Sequence, residues 1–437
     1  MICAPYGHAS TARRRLRARQ VWLTAILAFG LSGADEGPLQ VGFGRASLPA
    51  PEGAPLGGYG GLRDRRADGV LDPPEIRAVV FARGELRVAL VVADLVIPRG
   101  ALRTDLVAAA AGLEIDAIVF TATHTHSGPG GYLRGWLAER VTGGAFDPEI
   151  PGRILAAALE ALAAAAADLA TAQIQSGEAT LELAVNRRRP DGARERALPV
   201  LRASFDDGRP PLLVFAYAAH PTVLSPDNTR YSADYVGAAR RWLEARGVRA
   251  LFLPGPLGDQ APAPAEGELW EGPLETQWKQ ANEIGIRLGR AVLQTAGALG
   301  PASPAELRVA ERWSEPPPIA LRRFCGIWWL TPFVRAPLER FVATRVPLHA
   351  LRVGAATLIA LPAEPTAAVG EAIRSQMPGG SARFVVSLSN DWLGYVVTGQ
   401  TFERGGYEAC LSLHGPDFAS WLVAAAAETL RGLDPVP

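Results

Sequence analysis

Lysine, cysteine and methionine are almost missing from this sequence. Its 437 residues include two methionines, three cysteines and a single lysine, Lys279. Basic and acidic residues are equal in number, 44 of each, so there is no basic excess and we expect no nucleic-acid partner. No Cys-x-x-Cys pair occurs, so a metal site would have to use nitrogen and oxygen ligands.

The first 34 residues have the composition of a secretory signal peptide. Five arginines within Arg13–Arg19 precede the apolar run VWLTAILAFGL, and small residues end at Ala34. We expect cleavage near Ala34 and export to the periplasm or the medium; a retained N-terminal anchor is the alternative. Removing the segment leaves a net charge of 39 − 44 = −5. Cys3 would leave with it, and we expect Cys325 and Cys410 to be two buried thiols, although an oxidising compartment would permit a disulfide.

The remaining chain alternates between strand-like and helix-like segments. Leu86–Ile97 and Asp116–Thr123 are short, apolar and β-branched, and they flank the helix-like 100–113, which indicates a βαβ unit. The same patterns predict further strands at 211–220, 248–255, 356–364 and 382–390, and helices at 153–172, 278–292 and 418–430. We therefore predict one α/β domain over residues 38–437, with a mixed or mostly parallel sheet flanked by helices. In the helix at 153–172, the predicted buried face consists of Leu155, Leu159, Leu162 and Leu169.

Polar residues follow four of the predicted strands. They are His124 with His126, then His220, the pair Gly258–Asp259, and Glu364. In α/β sheets the ligand crevice lies at the carboxyl ends of the strands. We therefore expect these side chains to meet there, and we count Asp259 among the catalytic candidates.

The segment FTATHTHSGPGGY contains two histidines, His124 and His126, separated by one residue. In an extended chain such residues point to the same face, so both imidazoles could serve one zinc ion. Among the remaining histidines, His220 is the best third ligand, ahead of His349 and His414, because it ends a strand and precedes a proline. Spacing alone thus favours these three histidines, with Glu364 as a further ligand; a hydrogen-bonded turn is the alternative for the pair.

Several motifs, taken together and in order, resemble one known family. THTHSGPGGY, AAHPTVLS, LPAEPT and NDWLGYVVT followed by GYE are similar to the successive motifs of the neutral/alkaline, non-lysosomal ceramidases. GGYGG and GVLDPPEIRAVVF resemble that family's opening, and the likeness extends from about Val41 to the C-terminus. The resemblance implies a zinc-dependent amidase that cleaves the N-acyl bond of ceramide to sphingosine and a fatty acid.

The resemblance also implies a ligand set that differs from the one favoured by spacing. The zinc ligands would be His124, His220, Glu364 and Tyr395, and His126 would line the reacting centre instead. The remaining implied catalytic positions are Tyr407, which lies twelve residues after Tyr395, and Arg187 in NRRRP, with Arg188 as its alternative.

Alanine stands where the family carries a serine. The segment GDQAPA places Ala261 at that position. A zinc hydrolase of another N-acyl or ester substrate, or a non-catalytic binding homologue, is therefore an alternative hypothesis. Trp328 and Trp329, in RFCGIWWLTPF, could contact an acyl chain or a membrane surface peripherally, or pack in the core.

Overall fold

A computed structural model of the chain describes residues 27–28, 37–49, 51–60, 65–322 and 331–434, without the side chains of 27–28, 137, 141–142 and 331–334. Most of the predicted signal peptide lies outside the described residues, as do Cys325, Trp328 and Trp329. Cys410 is disulfide-bonded, so the expectation of a free thiol is wrong for this residue.

The described strands are β1 Leu27–Ala28, β2 Gln40–Ser47, β3 Gly69–Val70, β4 Glu75–Arg83, β5 Leu86–Ala93, β6 Ala117–Ala122, β7 Ala170–Thr180, β8 Ala184–Asn186, β9 Ala197–Phe205, β10 Leu212–Tyr217, β11 Arg230–Tyr231, β12 Arg249–Pro254, β13 Gln260–Pro262, β14 Leu307–Ser314, β15 Val346–Val353, β16 Ala356–Ala360, β17 Glu364–Pro365, β18 Ala382–Val386 and β19 Tyr395–Val396.

The described α-helices are α1 Gly100–Ala109, α2 Trp136–Thr142, α3 Glu149–Ala167, α4 Asp234–Glu244, α5 Leu274–Gly297, α6 Thr331–Phe341, α7 Ala367–Arg374, α8 Gly399–Arg404, α9 Tyr407–Cys410 and α10 Phe418–Arg431.

Two sheets form the centre of the molecule. An eight-stranded sheet has the order β12-β10-β9-β7-β2-β4-β5-β6, and a five-stranded sheet has the order β1-β14-β15-β16-β18. The larger sheet is mixed, with five of its seven neighbouring pairs antiparallel. The mixed α/β architecture predicted from the sequence is therefore observed, and β5 and β6 form the parallel pair expected of the βαβ unit.

The inner faces of the two sheets share one apolar core, and helices cover the outer faces. In β4, Val79 and Phe81 belong to the core between the sheets, whereas Ile76 and Val80 belong to the core under α3. Helices α4 and α5 pack over β9, β10 and β12, and α7 and α10 pack over the smaller sheet. Because the strands are buried on both faces, they appear in the sequence as continuous apolar runs.

Helix α3 buries a face that shares only Leu162 with the predicted one. Leu155 and Leu159 are only partly buried, and Leu169 lies beyond the helix; the fully buried positions are Ile150, Ile154, Ala157, Ala158, Ala161, Leu162 and Ala165. The alanines let α3 approach β2 closely, since a Cβ at Gly42 would lie 2.0 Å from the carbonyl oxygen of Ala165. By length and composition alone α3 could also cross a membrane, but here it packs on the sheet.

Candidate metal centre

Four chain segments deliver the central residues to one place. His124 follows β6, His220 follows β10, Glu364 begins β17 and Tyr395 begins β19. Strands β17 and β19 are parallel partners that place Glu364 opposite Tyr395. The strand ends therefore meet as expected from the position of the polar residues.

The three strongest candidate ligands are buried and close together. The Nε2 atoms of His124 and His220 lie 3.3 Å and 3.4 Å from Oε2 of Glu364. One donor atom from each of the three residues lies within 4.8 Å of the others. This is the only group of three or more histidine, cysteine or acidic residues in the described part of the chain that is arranged to hold a metal ion.

Backbone hydrogen bonds determine which nitrogen of each imidazole faces the centre. Nδ1 of His124 lies 2.5 Å from the carbonyl oxygen of Val96, and Nδ1 of His220 lies 3.1 Å from that of Gln260. A carbonyl oxygen can only accept, so each Nδ1 carries a proton and donates it. Metal-binding histidines typically make this contact, because it leaves the lone pair of Nε2 free for the ion.

His126 has its two ring nitrogens in the opposite roles to those of His124 and His220. The backbone N–H of Tyr59 donates to its Nδ1 at 3.2 Å, so in the neutral ring the proton lies on Nε2. That atom is 3.4 Å from Nε2 of His124. His126 therefore offers the centre an N–H donor, which differs from the metal-ligand role that spacing alone favoured.

The two histidines do not meet by the extended geometry assumed from their spacing. His124 has a φ of 71°, in the left-handed region that non-glycine residues adopt rarely and at a cost of order 1 kcal/mol or more. Its backbone N–H donates to the carbonyl of Leu95 at 2.9 Å, which holds the turn. Tyr59 also has a positive φ, 59°. Tertiary contacts impose these conformations.

Burial and neighbouring charges shift the pKa values of the central groups. Burial lowers the pKa of His220 to about 3, with Arg187 contributing, so this imidazole is neutral at physiological pH. Burial, His124 and His220 hold the pKa of His126 well below its usual range. Burial alone would raise the pKa of Glu364, but the facing imidazoles of His124 and His220 lower it well below its usual range.

Tyr395 and Arg187 form the next layer of the site. The Tyr395 hydroxyl lies 3.2 Å from Nε2 of His220 and accepts a hydrogen bond from Nη2 of Arg187 at 3.2 Å. Burial and then the Glu364 charge raise the pKa of Tyr395 well above its usual value, so the phenol is neutral. Both candidate arginines donate to the Glu408 carboxylate, and it is Arg187 that also donates to Tyr395.

Tyr407 and Asp259 lie farther out. The Tyr407 ring centroid is 5.8 Å from that of Tyr395, and 54% of its surface is exposed, so it lies at the protein surface beside Tyr395. The Asp259 carboxylate accepts from the side chains of Asn186 and Gln260 and from the backbone N–H of Ala367. Asp259 thus ties loops together and makes no hydrogen bond to the three candidate ligands within the described residues.

The other two candidate histidines lie elsewhere. His349 is buried beside Asn390 and Glu311, and Nδ1 of His414 donates to the carbonyl of Pro317. Neither belongs to the cluster of candidate ligands, in agreement with the preference for His220.

Two neighbours of the centre were missed from the sequence. Trp392 donates from Nε1 to Oε1 of Glu364 at 2.6 Å, and Tyr59 supplies the backbone N–H that orients His126. Both residues fall inside recognised motifs, NDWLGYVVT and GGYGG. However, no spacing rule links an indole to a carboxylate that lies 28 residues away.

The chain is thus an α/β protein in whose interior two imidazole nitrogens and a carboxylate oxygen converge. This arrangement makes it a candidate metalloprotein. Residues 40–251 match the family model described as neutral/alkaline non-lysosomal ceramidase, N-terminal. This match, over just under half of the chain, confirms the resemblance seen in the motifs.

Individual relatives agree with this assignment. The chain is 25% identical to the neutral ceramidase of Mycobacterium tuberculosis, over 90% of this chain and 76% of the relative. The crystal structure of neutral ceramidase from Pseudomonas aeruginosa superposes with a TM-score of 0.76 at 22% identity, covering 92% of this chain and 75% of that one. A second structure, described as a ceramidase complexed with C2, gives 0.75 at 20% identity, covering 92% and 77%. The structural matches show that the fold is shared.

Proposed function

We propose that this protein is a zinc-dependent hydrolase that cleaves the N-acyl amide bond of ceramide or a ceramide-like lipid to a sphingoid base and a fatty acid. The observation that carries the proposal is the convergence of His124, His220 and Glu364 at one buried point. The ceramidase family model that residues 40–251 match, and the ceramidases to which the chain is similar, support the choice of an amide-bearing lipid as substrate.

The donor set fits a zinc ion. Two Nε2 atoms and Oε2 of Glu364 direct lone pairs at one another, and Oε2 has no hydrogen-bond partner although it is buried. A single proton could form a hydrogen bond between one pair of these atoms, whereas a metal ion could accept a lone pair from all three. Imidazole nitrogen and carboxylate oxygen are preferred zinc donors, and Tyr395 is placed to be the fourth ligand. Zinc bound there would polarise a carbonyl and supply hydroxide near neutral pH.

The surrounding residues would bind and orient the substrate. His126 presents Nε2–H and can donate a hydrogen bond to the amide carbonyl as negative charge develops on it. Arg187 holds the Tyr395 hydroxyl and, through Nη2, the Gly258 carbonyl at 2.9 Å, so it keeps the phenol facing the centre. Tyr407, at the surface beside Tyr395, is placed to contact the part of the substrate beyond the amide, and Asp259 supports the loop behind Arg187 through the Arg187 N–H to Asp259 carbonyl bond.

Zinc content and ceramide turnover of the purified protein test the proposal. We expect one zinc per chain and release of fatty acid, with both lost in His124→Gln. His349→Gln is the matched control, since His349 is equally buried but lies outside the cluster, and it should keep its zinc. Absence of zinc after reconstitution of the wild-type protein would refute the proposed centre.

A second candidate substrate class follows from Ala261. This residue is buried in β13 opposite Val185, next to Gln260, whose carbonyl accepts from His220. Its side chain brings no hydroxyl to the site, which favours an amide or ester other than ceramide. Zinc binding without ceramide turnover would support this candidate and direct the search to other N-acyl substrates.

We also propose that the chain is exported by its N-terminal segment. The arginine cluster, apolar run and small residues ending at Ala34 support this proposal. Cell fractionation with N-terminal sequencing of the mature protein tests it, and an intact Met1 on a cytoplasmic product would contradict it.

A further inference from the structure

We propose that Trp392 is a positioning residue for the metal centre, and that its indole N–H holds the Glu364 carboxylate so that only Oε2 faces the ion. This inference rests on the proposed zinc site. It goes beyond that site because it assigns a function to a residue that is not itself a candidate ligand.

The two oxygens of Glu364 have different surroundings. Oε1 accepts the hydrogen bond from Nε1 of Trp392 at 2.6 Å. Oε2 has no hydrogen-bond partner and lies 3.3 Å and 3.4 Å from the Nε2 atoms of His124 and His220. Because Glu364 is only 1% exposed, water cannot compensate either oxygen. The indole therefore occupies one oxygen and leaves the other for a cation.

Trp392 is held in place through both its backbone and its ring. The backbone N–H of Trp392 donates to Oδ1 of Asp391 at 2.8 Å, and Nη1 of Arg99 lies 3.1 Å from the same oxygen. The Trp392 ring packs 6.0 Å from that of Phe341, measured between centroids, and is 4% exposed. A donor fixed in this way loses little freedom when it binds the carboxylate, so the contact orients the ligand efficiently.

Backbone pairing sets the distance between the indole and the carboxylate. The N–H of Glu364 donates to the carbonyl of Gly394 at 3.0 Å, and the N–H of Leu393 donates to that of Pro362 at 2.8 Å. The segment that carries Trp392 is thus tied to the segment that carries Glu364. The same pairing places Tyr395 beside Glu364, so residues 392–395 supply both the orienting donor and the proposed fourth ligand.

Trp392→Phe tests the inference, because it removes the N–H while keeping an aromatic ring. Freed from its donor, Oε1 would be buried without a partner, and the carboxylate could turn both oxygens toward the ion. Loss of a hydrogen bond to a metal ligand typically weakens metal affinity by about 10- to 100-fold. We expect a loss of that size for zinc, measured by competition with a chromophoric chelator on the purified full chain.

Two further readouts separate orientation from general destabilisation. The visible spectrum of the cobalt-substituted protein should change in intensity in Trp392→Phe, because binding through two carboxylate oxygens raises the coordination number. Trp421→Phe is the matched control: Trp421 packs on the same apolar core, stacked 5.7 Å from Phe418, away from the ligands. It should keep the zinc affinity and the cobalt spectrum of the wild-type protein, even if its melting temperature falls.

A double-mutant cycle tests the route of the effect. If Trp392 acts through the carboxylate, Trp392→Phe should weaken zinc binding less in a Glu364→Gln background than in the wild type. An undiminished effect in that background would overturn the proposed route. Unchanged affinity and spectrum in Trp392→Phe would overturn the inference while leaving the zinc site intact. A wild-type protein that binds neither metal would instead refute the proposed function itself.

Discussion

Asp94→Asn would break a buried ion pair beside Thr123, the residue that precedes the candidate ligand His124. Asp94 lies just after β5 and is completely buried, and its carboxylate faces the guanidinium of Arg240 at 2.6 Å and 3.1 Å. It also accepts from Oγ1 of Thr123 at 3.1 Å and from the N–H of Glu75 at 2.8 Å. Since Thr123 precedes His124, this carboxylate anchors the end of the strand that delivers the first candidate ligand.

The expected cost follows from burial of both charges. Removing one partner of a buried ion pair leaves the other charge uncompensated, which typically destabilises a protein by about 3–5 kcal/mol. The side chain of Arg240 is 3% exposed, so water cannot restore the lost interaction. Because whole domains are stable by only about 5–15 kcal/mol, the substitution should remove a large fraction of the free energy of unfolding.

Equilibrium unfolding in guanidinium chloride measures this loss, and zinc affinity in native buffer measures the effect on His124. Glu339→Gln is the control, because the Arg335–Glu339 pair is exposed and should contribute little. A loss below about 1 kcal/mol for Asp94→Asn, or a loss no larger than that of the control, would refute the argument that the buried pair anchors this strand.

Three further predictions concern charge, pH and packing. Arg187→Met should reduce turnover by roughly 10²-fold and also weaken zinc binding, because it removes the donor that holds the Tyr395 hydroxyl, whereas Arg188→Met, which leaves that contact in place, should have a much smaller effect. The metal-free protein should lose stability as the pH falls below about 6.5, because its buried His220, with a pKa of about 3, binds fewer protons than the unfolded chain. Gly44→Ala should lower the melting temperature, because the added Cβ would lie 2.1 Å from the carbonyl oxygen of Ala161.

Each of these predictions has a result that would contradict it. Equal activities of the two arginine variants would contradict the proposed role of Arg187 in holding Tyr395. For the pH dependence, urea unfolding between pH 7 and 5 should show a shallower slope in metal-free His220→Gln; an identical slope would exclude His220 as its source. A melting temperature unaffected by Gly44→Ala would show that α3 can move away from β2 without cost.

Apolar runs and residue patterns determined much of the fold in advance. The strand and helix cores were located because strands buried on both faces are continuous apolar runs, and because β5, α1 and β6 have the lengths of a βαβ unit. Of the leucine face predicted for α3, only Leu162 is fully buried, and the reason is physical. Helical periodicity finds an apolar face, but which face packs is decided by the glycines of β2, whose lack of side chains admits alanines instead.

The sequence by itself also determined which residue types could form a centre, because so few histidines and cysteines are available. On spacing alone, both histidines of the THTH segment were equally good candidate ligands. Only the family resemblance assigned them different roles. Tertiary structure distinguishes them physically: a carbonyl faces Nδ1 of His124, whereas a backbone N–H faces Nδ1 of His126. Those two contacts, and the indole that holds Glu364, join segments distant in the chain, and local pattern carries no information about such partners.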